Sequence, residues 1–81
     1  MRIFYSPEFK KALKACTPEV EKKFYKQASY LSQNLRHPSL RAKKYSEATG
    51  VWQARMDKNY RFYFLIEEDV YILLDIRAHP K

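Results

Sequence analysis

Two arginines and a histidine in the C-terminal third of the chain have the types and spacing that favour chemistry. Arg55 and Arg61 lie within residues 50–64 (GVWQARMDKNYRFYF), and His79 follows near the end of the sequence. A guanidinium is permanently charged and forks two donors onto phosphate oxygens, whereas an imidazole transfers protons near neutral pH. Together these groups are suited to metal-independent cleavage of RNA, in which the ribose 2′-OH attacks the adjacent phosphate.

The two arginines are predicted to lie on neighbouring strands of a hairpin. Residues 51–56, 60–66 and 70–77 are β-prone and are separated by short polar turns, so we predict a three-stranded antiparallel meander. Strict alternation predicts an apolar face that packs on helices: Trp52, Ala54, Met56, Tyr60, Phe62, Phe64, Ile66, Val70, Ile72, Leu74 and Ile76. It predicts a charged and aromatic opposite face: Gln53, Arg55, Arg61, Tyr63, Leu65, Tyr71, Leu73, Asp75, Arg77 and His79. On that second face, Tyr63 or Tyr71 is expected to stack a base or orient a phosphate.

Two helix start signals precede the meander. Ser6-Pro7-Glu8 and Thr17-Pro18-Glu19 each offer an N-cap residue, a proline for the first helical position and an acid for the first turn. They predict a two-helix hairpin, with a first helix over residues 7–15 and a second that ends before His37-Pro38. With an N-terminal strand at residues 2–5, the sequence predicts a single α+β domain over residues 1–81, with a twisted sheet of about four strands. Residues 37–49 are predicted to form a connection, with a short edge strand near residues 43–45 as an open alternative.

Basic charge is concentrated in the first 50 residues. The chain has 16 Lys and Arg against 9 Asp and Glu, a formal charge of +7. Residues 1–50 carry eleven basic and four acidic side chains, and residues 51–81 carry five of each. Such a surface favours a polyanionic partner: nucleic acid, an anionic membrane or an acidic protein. For an RNA partner, the lysines expected to contact it are Lys10, Lys11, Lys14, Lys22, Lys23, Lys26 and Lys81.

Other classes of site fit the sequence poorly. The chain lacks an HExxH motif and paired cysteines, and its single glycine cannot form a phosphate-cradling loop. Cys16 is the only cysteine, which fits a reducing compartment. We find no apolar run of membrane-spanning length and no signal-peptide pattern at the start. We therefore expect no cofactor, no metal, no membrane partner and a cytoplasmic location.

The candidate site residues also have structural interpretations. Arg55 and Arg61 would form cross-strand ion pairs with Asp75 or another acid in an ordinary sheet. His79, which precedes Pro80, would be an exposed histidine without a role.

The hairpin and the order of the elements resemble the RelE/ParE superfamily of bacterial type II toxins. The resemblance is carried by Gly50-Val51-Trp52-Gln53-Ala54-Arg55, then Tyr60-Arg61-Phe62-Tyr63-Phe64, and the late His79. The His-Pro-Ser-Leu segment at residues 37–40 is similar to the family's segment after the second helix. In pattern the chain is nearest to the RelE/YoeB mRNA interferase branch.

The resemblance implies a function and a set of roles. Members of the RelE/YoeB branch cut mRNA, usually in the ribosomal A site, whereas ParE-type members poison DNA gyrase. By position, Arg55 and Arg61 match phosphate-binding arginines, and His79 matches a histidine used in acid–base chemistry. Gln53 lies where other members place a lysine of the site.

Our leading hypothesis is therefore the toxin of a toxin–antitoxin pair that acts as a ribosome-dependent mRNA endonuclease. Its expected partners are the ribosome, mRNA and an acidic, partly disordered antitoxin that covers the sheet face. The alternatives are a non-catalytic ParE-like inhibitor of DNA gyrase and an inactive relative that binds only its antitoxin.

Overall fold

Two helices pack on one face of a five-stranded sheet in the computed structural model, which describes residues 1–78. The elements are β1 (Arg2–Tyr5), α1 (Pro7–Lys14), α2 (Pro18–Gln33), β2 (Lys43–Ser46), β3 (Val51–Arg55), β4 (Tyr60–Glu67) and β5 (Val70–Ala78). The strand order is β1-β5-β4-β3-β2. Strand β1 runs parallel to β5, and the other neighbours are antiparallel. Neither helix of the described part is long and apolar enough to cross a membrane.

Both helices begin at their predicted start signals. The hydroxyl oxygens of Ser6 and Thr17 accept hydrogen bonds from the backbone N–H groups of Phe9 and Val20, at 3.1 and 3.3 Å. Each bond satisfies an N–H group that has no partner inside its helix. The predicted α+β class is confirmed, but the sheet has five strands rather than about four. The fifth is β2, which pairs with β3 and forms one edge of the sheet.

The core lies between the sheet and the two helices. Its buried apolar residues are Phe9, Leu13, Phe24, Ala28, Leu31, Leu40, Ala54, Met56, Phe62, Phe64, Tyr71 and Leu73. The ring of Phe24 lies at the centre, 5.1 Å from the ring of Phe9 and 5.5 Å from that of Phe62. Each such side chain contributes roughly 1.5–3 kcal/mol by leaving water. This packing holds the sheet against the helices and leaves its other face open.

A β-bulge interrupts the pairing of β4 with β5. Tyr63 lies opposite Asp75, but Phe64 lies opposite Leu73, so Leu74 has no partner residue on β4. Because β5 has one extra residue here, the alternation of its side chains between the two sheet faces is shifted by one residue on either side of the bulge.

The bulge corrects the predicted faces of β5. Tyr71 and Leu73 are buried, with 3% and 0% exposure, although the sequence prediction placed them on the open face. Val70, Ile72 and Leu74 are only half-buried, and their prediction as helix-facing core residues was wrong. Tyr71 therefore packs in the core, and its buried ring is not available to stack on a base.

The segment that joins α2 to β2 packs back onto the fold. The His37 imidazole stacks on the Tyr30 ring, with ring centroids 3.8 Å apart. Leu40 is fully buried, and its carbonyl oxygen accepts a hydrogen bond of 2.6 Å from the backbone N–H of Arg55. This segment is therefore fixed against the end of β3.

Candidate functional site

Three arginines lie side by side across three neighbouring strands on the open face of the sheet. Arg55 on β3 is directly opposite Arg61 on β4, and Arg61 is directly opposite Arg77 on β5. On the helix side of these strands, Ala54, Met56 and Phe62 are buried, and Ile76 packs against the core. Alternation therefore puts the arginines on the other face. We call Arg55, Arg61 and Arg77 the arginine row.

The arginine row is unfavourable for folding. Like charges that lie directly opposite each other on adjacent strands destabilise a sheet. The repulsive pair is Arg55 with Arg61, because Arg77, although opposite Arg61, is paired with Asp75. A feature that conflicts with the stability of its own sheet is typical of a functional site.

Arg61 is the most constrained member of the row. Its Nη1 donates hydrogen bonds to the backbone carbonyl oxygens of Asp57 and Tyr60, at 2.8 and 3.0 Å. Burial lowers the pKa of Arg61, and the positive charge of Arg55, followed by that of Arg41, lowers it further. This guanidinium therefore lies in a positive local field, which an anion would relieve.

The acid expected to pair with the hairpin arginines is engaged elsewhere. Asp75 Oδ2 accepts a hydrogen bond of 2.9 Å from Nε of Arg77, its neighbour on the same strand. Within residues 1–78, neither Arg55 nor Arg61 forms an ion pair. The alternative in which Asp75 forms cross-strand ion pairs with Arg55 and Arg61 therefore does not describe this sheet.

A second row, polar and aromatic, lies beside the arginine row. Gln53, Tyr63 and Asp75 are directly opposite one another on β3, β4 and β5. The Tyr63 hydroxyl donates to Gln53 Oε1 at 3.3 Å, and the Tyr45 ring packs edge-on against the Tyr63 ring at 5.0 Å. The guanidinium of Arg77 lies 5.8 Å from the centre of the Tyr63 ring.

Tyr63 is consequently a neutral hydrogen-bond donor at physiological pH. Burial raises its pKa, and the neighbouring Tyr45 raises it further. A protonated hydroxyl next to guanidinium groups can donate to a phosphate oxygen, and the ring presents an aromatic surface to a base.

The predicted RNA-binding lysines of the helices do not form one surface. All six are exposed: Lys10, Lys11, Lys14, Lys22, Lys23 and Lys26. Lys23 and Lys26 line a depression of about 460 Å³ together with Arg41 and Arg55. Lys10 and Lys14 line a different hollow, between α1 and α2. The structure thus brings two of the six lysines next to the arginine row.

Two site residues predicted from the sequence, His79 and Lys81, lie outside the described residues. The proton-transfer role of His79 and the RNA contact of Lys81 stay predictions. The last described residue, Ala78, pairs with Tyr60 at the end of β5.

Sequence reasoning placed Arg77 on the correct face but assigned it no role, and it missed Arg41. The position of Arg77 in the row depends on the β4–β5 register, which the turn at residues 67–69 and the bulge set together. Arg41 has no sequence signal, because a contact between distant segments places it beside Arg55.

Solved structures of prokaryotic toxins share this architecture. A YoeB/ParE toxin from Agrobacterium tumefaciens is similar with a TM-score of 0.80 over 99% of this chain and 100% of that chain, at 10% identity. The chain has the RelE/YoeB toxin fold. The resemblance predicted from the hairpin motif is confirmed at the level of the fold.

Two further RelE/YoeB-type structures support the same assignment. A chain of the archaeal RelE–RelB complex from Pyrococcus horikoshii OT3 matches with a TM-score of 0.79 and 16% identity, over 95% of this chain and 92% of that one. The YoeB dimer from Staphylococcus aureus matches with a TM-score of 0.76 and 18% identity, over 99% and 98%. No protein-family model matches the sequence, and no curated protein is significantly similar to it.

Proposed function

We propose that this protein is the toxin of a toxin–antitoxin pair and that it cleaves mRNA on the ribosome. The observation that carries the proposal is the arginine row on the open face of a RelE/YoeB-type sheet. Two of its three guanidinium groups have no acidic partner within residues 1–78. Their mutual repulsion is relieved when phosphate groups of RNA bind, because each guanidinium can donate two parallel hydrogen bonds to a phosphate.

In the proposed reaction the ribose 2′-oxygen attacks the adjacent phosphorus, and the bond from phosphorus to the 5′-oxygen breaks. One proton leaves the 2′-OH and one reaches the departing 5′-oxygen. The products carry a 2′,3′-cyclic phosphate and a 5′-hydroxyl. Arg55 and Arg61 stabilise the negative charge that develops on the phosphorane.

Proton transfer and base contact are assigned to neighbouring residues. His79 follows Arg77 by two positions in the sequence and is proposed as the general acid or base, since imidazole titrates near neutral pH. Tyr63, whose hydroxyl donates to Gln53 Oε1 in the free protein, is proposed to turn this hydrogen bond to a phosphate oxygen or to stack a base, and Gln53 is proposed to contact the RNA beside it. The reaction as proposed uses neither a metal nor a cofactor.

The basic helices extend the proposed contact with RNA. Lys23 and Lys26 lie beside Arg55 and are proposed to bind the mRNA backbone. The remaining helix lysines are proposed to dock on ribosomal RNA: Lys10, Lys11, Lys14 and Lys22. Lys81 is proposed as a further RNA contact. Replacing lysines of this kind should weaken binding to all sequences and reduce its salt dependence.

An acidic antitoxin is the proposed protein partner. Similar structures include the RelE–RelB complex from Pyrococcus horikoshii and a YoeB–YefM complex from Staphylococcus aureus. An acidic, partly disordered chain that covers the open face would neutralise the arginine row and exclude RNA from it.

A purified translation reaction tests the proposal when the 5′ ends of the mRNA are mapped with and without ribosomes. We expect cuts that require ribosomes and disappear in the Arg55→Ala plus Arg61→Ala variant. Removing one group that stabilises the transition state costs roughly 10²–10³ in rate. The matched control is Arg2→Ala, because Arg2 is an exposed arginine on the edge strand β1 whose partner is Asp69, at 3.8 Å.

The other outcomes separate the alternatives. Cuts without ribosomes would indicate a free ribonuclease. Growth arrest without cuts would refute the nuclease and favour a ParE-like inhibitor of gyrase. A folded protein with neither effect would be an inactive relative that binds its antitoxin.

A further inference from the structure

A basic depression of about 460 Å³ lies between α2 and the end of β3, beside the arginine row. Four cationic residues line it: Lys23, Lys26, Arg41 and Arg55. Arg55 is also the first member of the arginine row, so the two surfaces are continuous. An anionic chain that reaches the row can therefore continue into the depression.

The single carboxylate of the depression, on Asp57, is already neutralised. Its Oδ1 accepts hydrogen bonds from the backbone N–H groups of Asn59 and Tyr60, both at 2.8 Å. Its Oδ2 lies 3.7 Å from the Nζ of Lys23. The other three cationic side chains have no ion pair in the part of the chain that the structure describes. The depression is therefore strongly positive.

The wall of the depression is held by one buried amide, the side chain of Gln27, which is 5% exposed. Its Nε2 donates to the backbone carbonyl oxygens of Ser39 and Arg55, at 3.0 and 2.7 Å. Its Oε1 accepts a hydrogen bond of 2.9 Å from the Ser39 hydroxyl. These three bonds join α2, the segment before Arg41 and the last residue of β3. The depression is thus formed before any ligand arrives.

Arg41 has an unusual backbone conformation, with φ of 47°. Side chains other than glycine, asparagine and aspartate rarely adopt this left-handed region. Backbone strain of this kind persists where the surrounding structure enforces it, and it is concentrated at binding sites. Arg41 lies close enough to the arginine row for its positive charge to lower the pKa of Arg61.

We propose that the depression is a second phosphate-binding site, which takes the phosphodiester adjacent to the one held by the arginine row. Arg41 is its principal ligand, and Gln27 is a positioning residue that fixes the loop carrying Arg41. The proposal depends on the proposed function only in taking single-stranded RNA as the ligand. The two sites together impose an extended path on the RNA, from β4 across the end of β3 towards α2.

The test is binding of a 2′-O-methyl oligoribonucleotide, which cannot be cleaved by 2′-OH attack, measured by fluorescence anisotropy at several salt concentrations. Arg41→Asn removes the charge but tolerates the left-handed backbone. We expect weaker binding and a log–log salt slope that is smaller by about 0.7, the value for one phosphate contact on a single strand. Arg41→Lys should retain most of the slope. Arg36→Asn, an exposed arginine of the same connecting segment, is the charge-matched control and should leave the slope unchanged.

Gln27→Met tests the positioning role, because it keeps the side-chain length but removes the donor and the acceptor. It should reduce the salt slope as Arg41→Asn does, and the double variant should be no worse than Arg41→Asn alone. Additive losses, or a normal slope in Gln27→Met, would show that Gln27 does not act through Arg41.

Three results would overturn the second phosphate site: a wild-type slope in Arg41→Asn, an equal loss in Arg36→Asn, or no measurable binding by the wild-type protein. The outcome is separable from that of the proposed function. Ribosome-dependent cuts with an unchanged slope would reject the site alone. Arg41-dependent binding without any cuts would reject the nuclease alone.

Discussion

Replacing Arg55 by glutamine is expected to stabilise this protein and to abolish the proposed cleavage of RNA. Arg55 lies directly opposite Arg61 on the adjacent strand and forms no ion pair within residues 1–78. The substitution removes the like-charge pair that Arg55 forms with Arg61 in the arginine row. It leaves intact the backbone hydrogen bonds that Arg55 makes to Leu40 and Gln27.

The expected gain follows from the geometry of the pair. A directly opposed cross-strand pair changes stability by roughly 0.2–1 kcal/mol, so removing one repulsive pair should add about 0.5 kcal/mol. In a domain of this size 1 kcal/mol shifts Tm by about 4–8 °C, which gives a rise of roughly 2–4 °C. In 1 M salt the Debye length falls to about 3 Å, so most of the gain should disappear.

Thermal unfolding at low and high salt measures this effect, with mRNA cleavage assayed in parallel. Arg36→Gln is the control, because it removes the same charge from an exposed position away from the sheet face. It separates the local repulsion from the general effect of lowering a net charge of +7. A lower Tm for Arg55→Gln at low salt, or an equal rise for Arg36→Gln, would refute the view that the arginine row is a strained anion site.

Three further predictions concern the fold. Leu73→Ala should lower the free energy of unfolding in urea by about 2–5 kcal/mol, because Leu73 is buried. Leu74→Ala should lower it by less than half as much, because Leu74 is the bulge residue. Equal losses for the two variants would contradict the bulge. Burial raises the pKa of Tyr71, so its contribution to stability is fully present below the ordinary tyrosine pKa of about 10 and is lost as the pH rises through the raised value. Urea midpoints should therefore fall in alkaline solution, and Tyr71→Phe should move that fall to higher pH; an unchanged alkaline profile would show that Tyr71 does not contribute. Thr17→Ala should destabilise the protein by about 1 kcal/mol, because it removes the N-cap of α2, whereas Thr17→Ser should be nearly neutral. Equal stability of the wild-type protein and both variants would exclude a role for the cap.

Local signals in the sequence were sufficient for most of the fold. The Ser-Pro-Glu and Thr-Pro-Glu signals located both helix starts, since capping and proline geometry act within one turn. The short turn at residues 57–59 indicated that β3 and β4 are adjacent, so Arg55 and Arg61 were correctly predicted to share one face of neighbouring strands. These features depend on residues that are close in sequence.

The features that the sequence did not predict depend on contacts between distant segments. The bulge at Leu74 has no local marker, because leucine is common in regular strands, and strict alternation therefore gave the wrong faces for residues 70–74. Arg41 reaches the site only because Gln27, on α2, binds Ser39 and the end of β3. The same limit explains why Arg77 was placed on the correct face but not recognised as the third member of the row.

The chemical identity of the newly formed mRNA ends tests the central claim most directly. If the sheet face promotes attack by the ribose 2′-OH, mRNA cut in a purified translation reaction will carry a 5′-hydroxyl and a 2′,3′-cyclic phosphate. The 5′ ends will then accept label from polynucleotide kinase without prior phosphatase treatment, and the Arg55→Ala plus Arg61→Ala variant will produce none. New ends that carry a 5′-phosphate, or arrested growth without any new ends, would contradict the assignment of this face as a site of RNA cleavage.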